Sequence, residues 1–240
     1  MIGCDCDVCH SPDPRDNRLR SSIYLQTPEC KFVVDTGTDF RTQALRENIR
    51  EVDAVVFTHS HTDHVMGFDD LRRFGAARGY MPVYASAETM RDLERVYEFA
   101  FQALNPFPGY LKPEPHIVDG PFHLGETTLT PLPVPHGNTW VNGYLFTRGG
   151  RKLLAYLSDC SAVPDAIAET IAGVHTLVID ALRDKPHPTH LSVGEAVEAA
   201  TRIKPSRTFF THLCHELPQS AESRLPANTY IAYDGLRLEC

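Results

Sequence analysis

An apolar strand that runs directly into a cluster of metal-ligand side chains constrains this chain more than any other feature. Residues 54–57 are Ala-Val-Val-Phe, and such a run of apolar, β-branched and aromatic residues predicts a buried strand. The loop that follows carries the pattern H-x-H-x-D-H in His59, His61, Asp63 and His64. Neutral imidazole and ionised carboxylate are ligands for zinc, manganese and iron. Because adjacent side chains cannot all converge on one ion, the spacing predicts two metals that share this loop.

The composition limits the class of protein. A chain of 240 residues with 42% hydrophobic residues fits one large domain, or two small ones, with a sizeable core. No apolar run approaches about 18 residues and the start is not basic-then-apolar, so we expect neither a membrane span nor a secretory signal. The formal charge of −8 disfavours bulk binding to nucleic acid. Bound divalent ions would still supply local positive charge for an anionic substrate.

The cysteines indicate both a compartment and a second metal site. Their number, 7, is odd, which favours free or metal-bound thiols in a reducing compartment, so we expect a cytoplasmic protein. Cys4, Cys6 and Cys9 form C-x-C-x-x-C at the start of the chain, a knuckle that can wrap one metal. The fourth ligand of a tetrahedral site has to come from elsewhere.

Polar groups follow several other predicted strands. These strand ends carry His136, Asp159, Asp180 and, on one further strand, His212 with His215. Functional groups at the carboxyl ends of strands are typical of α/β folds. Asp35 also ends a predicted strand, and two functions stay open for it. It either holds the histidine loop from behind the ligands or simply caps the strand end.

Residues 87–104 form the longest helical pattern and are aromatic on more than one side. Packing in the core and a lid over the site are both open interpretations. The proline-rich segment 105–115 is predicted to be a loop near an opening.

The last quarter of the chain contains a clear helix signal. Residues 193–203 are predicted to be helical, with Ser192 as the N-cap and Glu195 at the capping-box position. The tail, 228–238, is predicted to form two short strands around a turn at Asp234.

The ligand pattern resembles the metallo-β-lactamase superfamily. The H-x-H-x-D-H loop, then His136, Asp159 and His212, matches that family in order and spacing over most of the chain. The resemblance implies an α/β (α+β) fold, the αββα sandwich, formed as a single domain over residues 1–240 with the zinc knuckle at 4–9. It also implies a dinuclear site in which Asp159 bridges the two metals. The first metal would be bound by His59, His61 and His136, and the second by Asp63, His64 and His212.

A narrower resemblance covers the start of the chain and two later segments. The knuckle, Arg18 and Arg20, and the segments 189–192 and 211–215 are similar to the cyclic-phosphate phosphodiesterases of the C–P lyase pathway and their relatives. In that family the knuckle cysteines and a histidine three residues after the last catalytic ligand hold a structural zinc. Carried over, the zinc ligands are Cys4, Cys6, Cys9 and His215.

Two departures from that family affect the expectations. Such chains usually begin with a strand and a glycine-rich turn before the first cysteine, so this edge strand is expected to be missing or to lie upstream of Met1. The long glycine- and proline-rich arm with which tRNA-processing relatives grip tRNA is not evident, which disfavours tRNA as the substrate.

The sequence therefore predicts a metal-dependent hydrolase, and the main hypothesis is a phosphodiesterase acting on small or cyclic phosphate esters. A hydroxide bridging two divalent ions, of zinc, manganese or iron, would attack phosphorus. Asp63 and Asp159 are the predicted catalytic ligands, and His190, near the site by resemblance, is the predicted general acid or phosphate stabiliser. A residue at a helix start with no catalytic part is the alternative for His190. Asp69 and Asp180 are predicted to orient other site residues.

Other functions and partners stay open. The same metals could hydrolyse a carboxylic ester, a thioester or a lactone, and a non-catalytic accessory or metal-carrier protein is a third hypothesis. We expect a small phosphate ester as the substrate and neither membrane nor nucleic acid as a partner. The sequence leaves the exact substrate, the identity of the metal and the oligomeric state open. A homodimer is one of the possible oligomeric states.

Overall fold

The computed structural model describes residues 1–76, 78–102, 107 and 109–240. These residues divide into two compact units, one formed by residues 20–127 and the other by residues 1–19 with 128–240. Each unit has a buried apolar cluster of its own. Within the described residues, no helix is both long enough and apolar enough to cross a bilayer.

The unit of residues 20–127 is a sheet with helices. Its elements are β1 (Ile23–Gln26), β2 (Lys31–Val34), α1 (Phe40–Arg46), β3 (Ala54–Val56), α2 (Thr62–Val65), a 3₁₀ turn (Phe68–Leu71), α3 (Arg72–Gly75), β4 (Met81–Ala85), α4 (Ala87–Val96), α5 (Glu98–Phe101), β5 (Pro113–Ile117) and β6 (Phe122–Leu124). The five strands β1 to β5 pair in chain order. β1 runs antiparallel to β2, and the other pairs are parallel.

The predicted metal strand, β3, is the middle strand of this sheet. All of its residues are buried, as the apolar run predicts. Val55 and Phe57 pack with Val33 and Val83 of the neighbouring strands in one cluster that also takes in Phe68. The histidine loop, residues 58–64, therefore leaves the sheet from a rigid apolar base.

The helical pattern over 87–104 is interrupted. α4 ends at Val96, because Tyr97 takes φ −112° and ψ 35°, and α5 follows. Leu93 and Tyr97 are buried in the apolar cluster, which supports the core interpretation for this part. The end of this pattern, residues 103–104, lies outside the described residues. So do residues 105, 106 and 108 of the predicted proline-rich loop.

The predicted loop over 105–115 is wrong at its end, where β5 begins. Pro113 and Pro115 pair with β4 although proline cannot donate a ladder hydrogen bond. The sheet tolerates them because β5 is its edge strand and needs donors on one side only.

The second unit has its own sheet. Its elements are a 3₁₀ turn (Pro14–Asp16), β7 (Thr127–His136), β8 (Thr139–Arg148), β9 (Arg151–Leu157), α6 (Asp165–Thr170), β10 (Thr176–Asp180), α7 (Val193–Ile203), β11 (Arg207–Thr211), a 3₁₀ turn (Gln219–Arg224) and β12 (Thr229–Ile231). The strands β7 to β12 pair in chain order. β7, β8 and β9 form antiparallel pairs, and β9 to β12 are parallel.

This topology brings the predicted strand-end groups to one edge. Asp159 follows β9, Asp180 ends β10 and His212 follows β11, and these three strands are parallel. β7 is antiparallel to β8, which is antiparallel to β9, so β7 and β9 point the same way. His136 at the end of β7 consequently reaches the same edge as the other three.

The capping box at the start of α7 is confirmed. The Ser192 hydroxyl accepts from the backbone N–H of Glu195, and the Glu195 carboxylate accepts from the backbone N–H of Ser192. Two otherwise unsatisfied donors of the first turn are thereby satisfied, and the helix begins at a defined residue.

The sequence analysis missed β8 and α6, and its prediction for the tail is confirmed for the first strand, β12, and for the turn, but not for the second strand. β12 pairs in parallel with β11, and no second strand follows it among the described tail residues. Residues 234–235 form the predicted turn, which the Leu236 N–H closes by donating to the Tyr233 carbonyl at 3.1 Å. The Asp234 carboxylate also accepts from the backbone N–H of Leu19 at 3.1 Å and so anchors the N-terminal segment.

Candidate metal-binding clusters

The histidine loop lies tightly against the segment that follows β2. The Thr36 N–H donates to the His64 carbonyl at 2.7 Å, and the Gly67 N–H donates to the Thr36 carbonyl at 2.8 Å. A Cβ at Gly37 would lie 2.1 Å from the Asp63 carbonyl oxygen, closer than real contacts allow. Glycine is therefore required where the backbone approaches the loop.

A buried carboxylate holds this loop. Asp35, fully buried, has φ 63°, a left-handed conformation that aspartate tolerates better than most residues. Its carboxylate accepts three hydrogen bonds, each of 2.8 Å, from the Thr58 N–H, the Thr58 hydroxyl and His64 Nδ1. Of the two functions left open for Asp35, holding the loop is therefore confirmed.

These bonds also determine which ring nitrogens carry protons. His64 donates through Nδ1 to Asp35, so Nε2 of the neutral ring is unprotonated. The one hydroxyl proton of Thr58 goes to Asp35, so the 2.9 Å contact between Thr58 Oγ1 and His59 Nδ1 requires His59 to donate. Nε2 of His59 is then also unprotonated, the state that a metal ligand needs.

The remaining members of the loop lie beside these two rings. His59 Nε2 is 3.0 Å from His61 Nδ1, and His64 Nε2 is 3.8 Å from Asp63 Oδ2. The Arg20 guanidinium is also 3.8 Å from Asp63 Oδ2. The structure thus brings all four predicted ligands of this unit into one small cluster.

The second unit holds a strand-end cluster, which we define as His136, Asp159, His190 and His212. Asp159 Oδ2 is 3.8 Å from His136 Nε2 and 3.4 Å from His212 Nε2. His136 donates through Nδ1 to the Thr189 carbonyl at 2.7 Å, so its Nε2 is unprotonated in the neutral ring. A buried carboxylate between two imidazoles is a ligand set for a divalent cation.

His190, the predicted acid, lies between the two predicted ligand histidines of this cluster. Its ring centroid is 4.8 Å from that of His136 and 4.7 Å from that of His212. Its Nδ1 is 2.7 Å from Asp180 Oδ2, which also accepts from the Cys160 N–H. Burial raises the pKa of the Asp180 carboxyl well above its usual range. The predicted orienting role of Asp180 is confirmed, and the residue it orients is His190.

Asp69, the other predicted orienting residue, has a different contact. Its carboxylate pairs with Arg72 at 2.7 Å, three residues along the chain. A local ion pair in the first turn of a helix accounts for it, so the prediction of an orienting role is wrong.

The third cluster joins the N-terminal segment of the second unit to the segment that follows β11. Cys4 Sγ and Cys6 Sγ both lie 3.4 Å from His215 Nδ1, and the ligand atoms of Cys4, Cys6, Cys9 and His215 are within 4.8 Å of one another. The hydrogen bond from His215 lowers the pKa of Cys6 to about 6, which favours the thiolate. For tetrahedral zinc, N···S separations of about 3.6 Å follow from the usual bond lengths.

The donor atoms fit metal ions in all three clusters. Imidazole nitrogens and carboxylates in the first two suit zinc or manganese, and three sulfurs with one nitrogen suit zinc. In the first two, Asp35, Thr58 and the Thr189 carbonyl engage Nδ1 of three histidines and thereby present Nε2. The sequence analysis missed Thr58 and Thr189, because a hydroxyl and a backbone carbonyl leave no recognisable pattern.

Three comparisons relate the chain to known proteins. The family model described as the beta-lactamase superfamily domain matches residues 31–213. The crystal structure of a diphosphatase from the PhnP family superposes with a TM-score of 0.91 and 41% identity, over 99% of this chain and 90% of that one. The predicted α/β class and metallo-β-lactamase fold are confirmed by these matches.

Among curated proteins, the chain is similar to longer ones. The octanoyltransferase of Porphyromonas gingivalis is 34% identical over 241 residues, which are 98% of this chain and 48% of that protein. The exodeoxyribonuclease YycJ of Bacillus anthracis is 28% identical over 175 residues, 68% of this chain and 58% of that protein. The chain thus spans about half the length of these curated relatives.

The contacts of Asp35 predict the effect of removing its charge. Asp35→Asn keeps the size of the side chain but cannot accept both Thr58 protons and the His64 proton as an anion does, so the rings lose their orientation. Loss of such an orienting partner typically lowers metal affinity by about 10- to 100-fold. Competition with a chelator measures this. The matched control is Asp70→Asn, because the Asp70 carboxylate makes no hydrogen bond to a described residue. Equal metal affinities in the two variants would contradict the orienting role of Asp35.

The cysteine knuckle predicts a loss of metal together with stability. Cys6→Ser should lower the zinc content by about one equivalent and lower the melting temperature, because metal binding energy is coupled to folding. Elemental analysis and thermal unfolding measure the two effects. Cys30→Ser is the control, since burial raises the pKa of that thiol to about 11 and keeps it protonated. Unchanged zinc in Cys6→Ser would show that the knuckle binds none.

Proposed function

This chain is a hydrolase of the beta-lactamase superfamily, and we propose that it is a metal-dependent phosphodiesterase that acts on small or cyclic phosphate esters. The observation that carries the proposal is the strand-end cluster, in which the His190 ring lies between the imidazoles of His136 and His212 and is oriented by Asp180. An acid placed beside metal ligands is what phosphodiester cleavage needs at the leaving group.

The ligands of the first two clusters would hold divalent ions, as the family resemblance implies. Bound ions of this kind supply an activated water and neutralise charge on the phosphoryl oxygens. Asp35, Thr58 and Thr189 hold the ligand rings in one tautomer, so the ligands need not reorganise when a metal or substrate binds. The cysteine knuckle would hold a structural zinc, because its four ligands leave no open position.

His190 has the contacts of a general acid. Its Nδ1 proton is held by Asp180, so in the protonated ring Nε2 carries a second proton that it can give to a leaving oxygen. Burial raises the pKa of the Asp180 carboxyl, but a positive charge on the adjoining His190 ring would favour the ionised carboxylate, and the two charges would then stabilise each other. The alternative, a residue at a helix start with no catalytic part, does not account for the carboxylate partner.

The similarities support phosphorus chemistry in general. One relative is described as a diphosphatase and another as an exodeoxyribonuclease, and both names refer to cleavage at phosphorus. The net charge of −8 favours a small ester over a polymer as the substrate of this chain. The 7 cysteines, free in the structure, support a reducing compartment such as the cytoplasm.

A thioester or ester hydrolase is the second candidate. The similarity to an octanoyltransferase over 98% of this chain favours it, because octanoyl transfer is acyl chemistry. That protein is about twice as long as this chain, which matches 48% of it. Its name describes the activity of the whole protein.

A substrate panel distinguishes the two candidates. We expect the metal-loaded protein to hydrolyse bis(p-nitrophenyl) phosphate and a cyclic ribose phosphate, and to leave an octanoyl thioester and a lactone intact. Asp159→Ala should lower the phosphodiester rate by several orders of magnitude, because the carboxylate shared by two imidazoles is lost. Turnover of the thioester alone would establish the second candidate instead.

The position of His190 predicts a dependence on the leaving group. His190→Ala should keep its metals yet slow a diester with an alkoxide leaving group by about 100-fold or more, the usual worth of acid catalysis. p-Nitrophenyl esters should lose much less, because that leaving group needs little protonation. If the hydrolysis rates of both ester types fell equally, His190 would stabilise the phosphate and would not act as a general acid. His175→Ala, at the opposite end of β10, is the control.

A further inference from the structure

Arg18 and Arg20 precede β1 in the chain, and their side chains have contrasting surroundings. The Arg18 side chain is only 11% exposed, and its guanidinium donates to the carbonyls of Cys214 and Leu217 at 3.3 and 2.6 Å. The Arg20 side chain is 57% exposed, and its guanidinium makes no hydrogen bond to any residue that the structure describes. Arg18 thus stabilises the fold, whereas the N–H donors of Arg20 are available to a ligand.

The backbone of Arg20 is held against the segment between β2 and α1. Its N–H donates to the Asp39 carboxylate at 3.0 Å, and its carbonyl accepts from Gln43 Nε2 at 2.7 Å. A Cβ at Gly37 would lie 3.0 Å from the Arg20 Cβ and 2.1 Å from the Asp63 carbonyl oxygen, so Arg20 packs at the same glycine as the histidine loop. The base of this side chain therefore has a fixed position beside the loop.

The end of the Arg20 side chain lies at the proposed metal ligands of the histidine loop. Its Nη1 is 3.8 Å from Asp63 Oδ2, and the same oxygen is 3.8 Å from His64 Nε2. That nitrogen is the unprotonated one, because His64 donates through Nδ1. A substrate oxygen that binds an ion held by Asp63 and His64 would therefore lie near the guanidinium.

An ion pair with Asp63 is the alternative role for Arg20. The separation of 3.8 Å exceeds that of a charge-assisted hydrogen bond, about 2.7–2.9 Å, and more than half of the Arg20 side chain is exposed. Exposed ion pairs of this kind contribute little to stability. When a metal is bound, the Asp63 carboxylate also shares its charge with the ion, whereas the guanidinium stays charged. The ion pair alone does not account for an arginine at this place.

We propose that Arg20 is a substrate-binding residue that donates hydrogen bonds to anionic oxygens of the group that is cleaved. The planar guanidinium matches two oxygens of a phosphate in this way. Its charge would favour a phosphodiester, which is anionic at the attacked group, over a thioester or a lactone, which is neutral there. The inference rests on the proposed phosphodiesterase function and names the residue that selects this substrate class over the acyl substrates.

Binding of inorganic phosphate tests the inference without turnover. With the zinc- or manganese-loaded protein, calorimetry should show that Arg20→Ala binds phosphate about 10-fold or more weakly, the usual effect of losing hydrogen bonds to a charged group. Arg20→Lys keeps the charge but not the planar fork, so it should recover part of the affinity. Arg41→Ala, which removes an exposed arginine of α1, is the matched control and should bind phosphate as the wild type does.

Metal binding distinguishes a contact with the substrate from an effect on Asp63. Elemental analysis and competition with a chelator should give the same metal content and metal affinity for Arg20→Ala as for the wild type. A loss of metal affinity as large as the loss of phosphate affinity would show that Arg20 only orients Asp63, and the inference would be overturned. Unchanged phosphate affinity in Arg20→Ala, or no phosphate binding by the wild type, would overturn it as well.

Kinetics separate a failure of this inference from a failure of the proposed function. For bis(p-nitrophenyl) phosphate, kcat/KM should fall about 10-fold or more in Arg20→Ala, and added salt should reduce this difference because ions screen an exposed charge. Diester hydrolysis by Arg20→Ala at the wild-type rate would refute the inference and leave the function in place. A protein that binds phosphate through Arg20 but cleaves no phosphodiester would refute the function and leave the anion-binding role of Arg20 supported.

Discussion

The parallel hydrogen-bond ladder of β9, β10 and β11 is the constraint on which the chemistry of the second unit depends. Parallel strands end at the same edge, so Asp159, Asp180 and His212 meet there whatever the loops between them do. The antiparallel β8 reverses the chain twice and so brings His136 to that edge as well. A register or direction change in any of these strands would remove a group from the cluster.

In both units, hydrogen bonds determine which ring nitrogen of the ligand histidines carries the proton. Three different acceptors do the same work, since a carboxylate, a hydroxyl and a backbone carbonyl each take the Nδ1 proton of one histidine. In each case Nε2 becomes the nitrogen that can bind a metal. Asp35 serves two of these rings, directly for His64 and through Thr58 for His59. It occupies a left-handed backbone conformation in order to do so.

The connection between β10 and α7 concentrates recognition in a short segment. It contains His190, the proposed acid, and the Thr189 carbonyl that orients His136. Arg183 on this connection pairs with Glu216 at 2.6 Å and so stabilises the loop. The capping box at Ser192 then starts α7 at a defined residue directly after the loop.

The sequence by itself determined the features that depend on neighbours along the chain. The H-x-H-x-D-H loop after β3, the capping box of α7 and the polar strand ends were all predictable, because apolar period, capping and ligand spacing are local properties. The family resemblance added the pairing of the cysteine knuckle with His215. The tertiary structure decided which acceptor orients which ring. Thr189 acts through a carbonyl that every residue has, and Asp69 pairs with its neighbour Arg72 although its residue type suits a site. Likewise Asp234 lies in the predicted turn, but its carboxylate anchors the N-terminal segment, and no second strand follows among the described residues. These outcomes depend on long-range packing, which brings a particular donor and acceptor together and which no local pattern records.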